Sequence, residues 1–391
     1  MKTVSQLRDS VSGMLQGLNL NNVTNLNTAF ERTARQTCVL LDIPEATLRQ
    51  TLTLYDGVVD YLAPTDMFAS AIDDIRPQGQ TRWSGDDVQK QPMAEFDQDK
   101  GFITSTKTTV EYDKGTGILR VVSPYPTARI ELDPMTATTG WVAAGSASAL
   151  TADSTVYWQQ PSALRFTLTG NSVGTLTKTI PSQDLTSYKN VGVGFLASKI
   201  PSANLTSIEM RIGSSASAYY TQTVTAGFIK AFTAGDWMLE SFDLSTATTV
   251  GVPDITKITY LQLLFTHGAT MTNVYVGDVW IALPCPNTII YQTAAIFIPT
   301  GSTVPINTIT ASSDQIMLND SAYAIYEVKC AIEVAQQQGG TLASGVIQVL
   351  DQILNGVRGY RGVLVQLGLI DSYRADNPSQ EIRTTGSYYD M

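Results

Sequence analysis

The sequence predicts a multidomain α+β fold, in which the two chain ends form a helical domain with short strands and an antiparallel β-sandwich is inserted between them. Three observations predict this. Near both ends, apolar residues recur at steps of three and four, which is typical of amphipathic helices. Between residues 134 and 284 the chain is rich in Ser, Thr and Gly and carries short alternating runs. At 391 residues, the chain exceeds the size of most single cores.

Residues 1–133 are predicted to contribute two helices, short strands and a loop to the helical domain. The apolar stripes of the two helices are Val4, Leu7, Val11, Met14, Leu15 and Leu18, and then Leu26, Phe30, Ala34, Cys38 and Leu41. Pro44 ends the second helix, because the residue before a proline disfavours helical backbone. Asp56-Gly57 is predicted to be a turn, residues 77–100 a polar surface loop, and residues 107–122 a hairpin.

Residues 134–284 are predicted to form the β-sandwich. Turn signals separate the alternating runs at close spacing, as expected for two packed antiparallel sheets. Aromatic residues in this region are candidates for stacking on sugar rings, and the commoner alternative is that they fill the core; they are Tyr219, Tyr220, Trp237 and Tyr260. Because side chains alternate along a strand, we expect one of the two adjacent tyrosines to be exposed.

Residues 285–370 are predicted to complete the helical domain. A strand over 289–298 precedes a helix that begins at Asn319 or Asp320 and runs to Gln338. A second helix is predicted over 342–368, and residues 371–391 read as an extended polar arm. The helices at both ends each carry one apolar face, so we expect them to pack on one another.

Composition excludes several functions. A net charge of −10 with no basic stripe argues against binding of DNA or RNA through phosphate contacts. The single histidine, His267, rules out a multi-histidine metal site, and three distant cysteines predict no disulfide framework. No signal peptide and no membrane-spanning stretch is recognised, so we expect no membrane partner, no cofactor and synthesis in a reducing compartment.

Catalytic motifs are weak. Residues 170–174 match G-x-S-x-G, and Asp243 or Asp254 and then His267 follow in the order of a hydrolase triad. That motif requires a helix after the serine, whereas the sequence continues as a strand, so we expect a hairpin turn here and a histidine with a local hydrogen bond. We therefore predict that the chain is not an enzyme and has no catalytic or metal-binding residues.

Two resemblances arise from these patterns. The sandwich region resembles carbohydrate-binding jelly-roll domains, on the runs at residues 164–166, 178–180, 184–188, 208–212, 219–220, 235–237, 242–244 and 276–279. The flanking parts resemble head–tail adaptor (neck or connector) proteins of tailed bacteriophages, on residues 34–36, 40–42, 55–66, 72–78 and 322–338. The second pattern departs from the family at Ala63, which separates Leu62 from Pro64.

The adaptor resemblance implies a structural virion protein at the neck, made in the host cytoplasm. It implies a homo-oligomeric ring, expected to be a dodecamer, that joins the portal protein to neck and tail proteins while DNA passes through the lumen without specific binding. The sandwich is then expected to project outward as a collar decoration. The polar arm, with Tyr373, Tyr388 and Tyr389, is expected to dock on the portal or on a neighbouring subunit.

Two other functions stay open. The first is a tail-fibre or collar protein that binds host glycans, with Tyr219, Tyr220 and Trp237 as the stacking residues. The second is a glycan-degrading enzyme, which needs two facing carboxylates. The candidates are Asp236, Glu240, Asp243 and Asp278. Binding of calcium by the sandwich is left undecided.

Overall fold

The structure is a computed structural model, and it describes residues 1–16, 25–40, 47–78, 89–90, 108–113, 116–123, 126, 128–159, 161–338, 340–357 and 360–361. Within these residues there are four helices: α1 (Val4–Met14), α2 (Leu26–Leu40), α3 (Asp320–Gln338) and α4 (Gly340–Asn355). The predicted arm, including Tyr373, Tyr388 and Tyr389, lies outside the described residues, as does most of the predicted loop over 77–100.

The strands before the sandwich are β1 (Lys2–Thr3), β2 (Thr47–Leu54), β3 (Asp60–Leu62), β4 (Met67–Pro77), β5 (Gln89–Lys90), β6 (Thr109–Asp113) and β7 (Ile118–Val122). The sandwich strands are β8 (Arg129–Asp133), β9 (Trp141–Gly145), β10 (Ala147–Asp153), β11 (Ala163–Leu168), β12 (Ser172–Gln183), β13 (Val193–Lys199), β14 (Leu205–Ser215), β15 (Ala218–Val224), β16 (Trp237–Asp243), β17 (Thr248–Val250), β18 (Ile258–His267) and β19 (Met271–Ala282). The last strands are β20 (Cys285–Thr293), β21 (Phe297–Ile298), β22 (Gln315–Ile316), β23 (Gly356–Val357) and β24 (Tyr360–Arg361).

The middle of the chain forms an antiparallel β-sandwich. One sheet, here called the inner sheet, has the order β10-β11-β19-β13-β16, with β8 also paired to β19. The other, the outer sheet, has the order β17-β15-β14-β18-β12-β9. The chain crosses repeatedly between the sheets, and inward-facing side chains such as Phe166, Ile208 and Phe265 fill the space between them. The sandwich begins at Arg129, a few residues before the expected start at residue 134.

The middle of the inner sheet, at β13, β16 and the C-terminal half of β19, is buried on both faces, whereas the edge strand β10 is mostly exposed. On the side away from the sandwich core, this middle part packs against two small sheets. One has the order β3-β7-β6-β5. The other, here called the base sheet, has the order β2-β20-β4, in which β20 directly follows the sandwich. Both partners contribute to one core, which contains Leu54, Val58, Tyr61, Met67, Ile72, Ile75, Val110, Leu119, Val121, Phe195, Ala197, Leu239, Trp280, Ala282, Ile289 and Tyr291. The sandwich therefore shares a core with the rest of the chain, because one of its sheets is the middle layer of a larger stack; its outward projection as a collar decoration stays a prediction.

The helices of the two chain ends share a third core. Helix α3 contacts α1, α2 and α4, and its apolar residues face several directions, as expected for a helix enclosed by others. The Tyr326 hydroxyl donates a hydrogen bond to the Phe30 carbonyl oxygen of α2 over 2.8 Å. This mutual burial joins residues nearly 300 positions apart, and by itself it does not identify the helices as an adaptor domain.

The last helix is shorter than predicted. Helix α4 ends at Asn355, and the chain then forms the hairpin β23–β24 instead of continuing as a helix to residue 368. Gly356 follows the helix directly, and glycine weakens helical backbone because it loses the most conformational freedom on folding.

Candidate functional site

The outer sheet presents the candidate site on its solvent-facing side. Directly opposed residues of neighbouring strands form rows across this sheet, and the residues of one row point to the same side. One row runs Thr221, Arg211, Gln262 and Thr177 over β15, β14, β18 and β12. The next row runs Tyr219, Gly213 and Tyr260. At about 4.8 Å between strands, the four-residue row spans roughly 14 Å.

Two tyrosines lean toward each other over a glycine. Tyr219 and Tyr260 are both half-buried, and their ring centroids are 6.3 Å apart with planes tilted by 38°. Gly213 lies between them on β14, and a Cβ there would lie 2.2 Å from the Ala218 carbonyl oxygen. The glycine thus lets β15 pair closely with β14, because the backbone of Ala218 and Tyr219 occupies the place that a side chain would need.

A hydrogen-bond network lies beside the tyrosines. Arg211 donates from Nε to Oε1 of Glu209 over 2.6 Å and from Nη1 to Oε1 of Gln262 over 3.2 Å. Thr221 donates to the same Glu209 oxygen over 2.7 Å, and Gln262 donates to Thr177 over 2.9 Å. The Arg211 guanidinium carbon lies 5.0 Å from the centroid of the Tyr219 ring, which is cation–π distance. We call the following eight residues the tyrosine platform: Thr177, Glu209, Arg211, Gly213, Tyr219, Thr221, Tyr260 and Gln262.

The platform carries no net charge. Partial burial lowers the pKa of the Arg211 guanidinium, but the hydrogen bond and charge of Glu209 raise it, and the net shift is upward. Burial raises the pKa of the Tyr260 hydroxyl, while the charge of Arg211 lowers it. Arg211 therefore stays cationic in its ion pair with Glu209, and Tyr260 stays a neutral donor. The platform thus offers aromatic faces next to several donors and acceptors.

The other predicted stacking residues do not share this surface. Tyr220 faces the sandwich core, where it is 6% exposed, with Nζ of Lys189 5.3 Å from its ring centroid. Trp237 begins β16 on the inner sheet and packs on Trp158, with ring centroids 5.9 Å apart. As expected, one tyrosine of the adjacent pair points inward and the other outward.

The candidate carboxylates lie in different environments. The Asp236 side chain is 68% exposed and lies 3.5 Å from Nζ of Lys230. Asp243, at the other end of β16, accepts hydrogen bonds from the Ser245 backbone and hydroxyl. Glu240 is fully buried between the sheets, and Asp278 on β19 is 1% exposed. The structure therefore places one of them in solvent, one at a turn and two in the interior.

His267 is paired with a serine outside the predicted triad. It is 1% exposed, its Nδ1 lies 2.9 Å from the Ala269 carbonyl oxygen, and its Nε2 lies 2.7 Å from Oγ of Ser146. A carbonyl oxygen can only accept, so Nδ1 carries the proton and Ser146 donates to Nε2. The expected local hydrogen bond is present. Ser172 starts β12 after a turn, but β11 and β12 belong to different sheets, so the expected hairpin is instead a crossover.

Within the described ranges, no group of three or more His, Cys, Asp or Glu side chains is arranged to hold a metal ion. Among the described helices, none combines the length and apolar character needed to cross a bilayer.

Comparison with known proteins identifies no family. No family model and no curated protein sequence matches the chain. Three solved carbohydrate-binding modules overlap about two fifths of it. A family 11 module from Clostridium thermocellum, in complex with a β-1,3-1,4-mixed-linked tetrasaccharide, has 12% identity over 39% of this chain and 94% of that chain, with a TM-score of 0.30. A family 30 module has 14% identity over 40% and 88%, with a TM-score of 0.33. The module CBM27-1 of Caldicellulosiruptor saccharolyticus, in complex with mannohexaose, has 14% identity over 39% and 96%, with a TM-score of 0.28.

Overlaps at these scores assign neither a ligand nor a role to this chain. The β-sandwich is established by its own two sheets. The resemblance to head–tail adaptors gains no support from the comparisons.

Proposed function

We propose that the chain binds a neutral oligosaccharide on the tyrosine platform. The observation that carries this proposal is the pair of tyrosine rings, Tyr219 and Tyr260, next to a charge-balanced row of hydrogen-bonding side chains. Sugar rings present apolar C–H faces and polar hydroxyl edges, so they require aromatic and hydrogen-bonding groups side by side. The middle of the inner sheet is covered on both faces, whereas the outer sheet has a broad free side that a chain-like ligand can reach.

The experiment is a glycan array followed by calorimetry with the neutral oligosaccharide that binds best. We expect Tyr219→Ala and Tyr260→Ala each to weaken binding by about tenfold, because each removes a stacking surface. Trp237→Phe is the matched control, since Trp237 lies on the inner sheet, and its affinity should equal that of the parent chain. Absence of binding to any neutral glycan, or an equal loss in the Trp237 variant, would refute the proposal.

A structural role in a virion is the second candidate. The one observation in its favour is that helices from both chain ends pack into a single body, as a connector with an inserted domain requires. The dodecameric ring, the portal and tail partners, the passage of DNA and the location at the neck stay predictions. Native mass spectrometry of the assembled chain would separate a twelve-chain ring from smaller assemblies.

A further inference from the structure

The base sheet has an open edge at β2. Strand β2 is the outer strand in the order β2-β20-β4, and no strand of the described ranges pairs with its other side. It pairs with β20 along its whole length, from Thr47 opposite Gln292 to Leu54 opposite Cys285, without a register shift. Its central residues, Arg49, Gln50 and Thr51, are exposed. A strand bonded on one side directs its remaining N–H and C=O groups outward, where they can pair with another chain.

The usual protections of an edge strand are missing from β2. Proteins shield such edges with lysine, proline, bulges or short strands. The eight residues of β2 contain neither lysine nor proline, and their single charge is Arg49. The opposite edge strand, β4, contrasts with it. β4 ends at Pro77, has two register shifts against β20, and places Arg76 and Asp74 3.4 Å apart in an ion pair.

We propose that the open edge of β2 binds β2 of a second copy of this chain, antiparallel, about a two-fold axis at Gln50. The register of the strand supports this pairing. Leu48 and Leu52 are half-buried on the side of the sheet that faces the core, and Gln50 lies between them on the same side. Directly opposed residues of an antiparallel pair point to the same side, so the two leucine faces join only in registers that preserve this alternation.

Among these registers, the one centred on Gln50 fits best. It places Leu48 opposite Leu52 of the second copy and Arg49 opposite Thr51, so no like charges meet. A two-fold axis at Arg49 would oppose two guanidinium groups. An axis at Thr51 would oppose Leu52 to Gln50 and Leu48 to Leu54, and Leu54 is already buried in its own core. The favoured register joins two base sheets into one six-stranded sheet and covers the partly exposed leucines, which stabilises the pair.

The test uses opposite charges at Gln50 and measures assembly by sedimentation velocity and native mass spectrometry. The parent chain should form a dimer. Gln50→Lys and Gln50→Glu each place like charges opposite one another, and each should weaken dimerisation by about fivefold or more. An equimolar mixture of the two variants should recover the dimer, because Lys then opposes Glu. Recovery also shows that both variants are folded.

Gln352→Lys, on the exposed side of α4, is the matched control and should leave the dimer unchanged. Hydrogen exchange of the β2 amides should slow as the concentration of the parent chain rises, and it should not do so for Gln50→Lys. A parent chain that is monomeric at the highest measurable concentration overturns the proposal. So does a mixture that fails to reassociate, or a twelve-chain ring that neither substitution affects.

Discussion

Glu240 is a carboxyl group placed where a charge is costly. It is fully buried in the sandwich core, and its carboxyl group accepts a hydrogen bond from Oγ of Ser198 over 2.7 Å. Burial raises the pKa of the Glu240 carboxyl from 4.5 to about 8, although the hydrogen bonds to the group lower it. At neutral pH the folded chain therefore holds a proton here that the unfolded chain has released.

This pKa shift predicts a loss of stability as the pH rises. Below the unfolded pKa of 4.5 both states hold the proton, and between there and about 8 only the folded state holds it, so the free energy of unfolding falls over this range. From about pH 5 to about pH 9 the contribution is roughly 4 kcal/mol. Glu240→Gln should remove this slope in urea denaturation. Asp236→Asn, at the exposed residue just before the same strand, should retain the parent profile, and an unchanged slope in Glu240→Gln would contradict the assignment.

Residue identity alone predicts part of the candidate site. The alternation rule indicates that one of Tyr219 and Tyr220 faces out, and the outward tyrosine belongs to the platform. The rule cannot predict that Arg211 and Gln262 lie in one row, because that depends on the register between β14 and β18, and no local pattern specifies it. The polar residues that alternate with Ile208, Met210 and Ile212 were the available signal that β14 has a solvent side.

At the scale of elements, the helices and the sandwich follow from periodicity, and the layering does not. The sequence Val279-Trp280-Ile281-Ala282 is apolar at every position, and all four residues are buried. A continuous apolar run is typical of a strand covered on both faces. This feature predicts that β19 has a partner beyond the sandwich, but it cannot name the strands that provide the cover, most of which come from more than 150 residues earlier in the chain.

Trp280 should couple the sandwich to the N-terminal strands. Its ring stacks on Phe195, with centroids 5.5 Å apart, and its Nε1 donates to the Asp56 carbonyl oxygen over 2.9 Å. Trp280→Ala should lower the free energy of unfolding by roughly 3–5 kcal/mol, and Trp280→Phe by less, because it keeps an aromatic ring in the core. Hydrogen exchange should accelerate in β3 and β7 as well as in β13. Acceleration confined to the sandwich would show that the two layers unfold independently.

At the scale of the whole molecule, the chain closes on itself through its helices. The sequence predicts this closure, because four helices with one apolar face each have no other partner of matching length. What the sequence could not predict is that α3 becomes the enclosed helix. Its buried residues lie on several sides, and they include Tyr323, Ile325 and Tyr326 within a single turn.

The closure predicts a response at one chain end to a change at the other. Leu7 of α1 is fully buried in the helical core that contains Tyr323 and Tyr326 of α3. Leu7→Ala leaves a cavity there and should cost roughly 2–5 kcal/mol of stability. If the helices form one cooperative body, hydrogen exchange should accelerate in α3 about as strongly as in α1, despite more than 300 residues between them. Asp9→Ala, on the exposed side of α1, is the control and should leave α3 unchanged. Acceleration limited to α1 would show that this helix unfolds independently of α3, and the two chain ends would then not form one cooperative body.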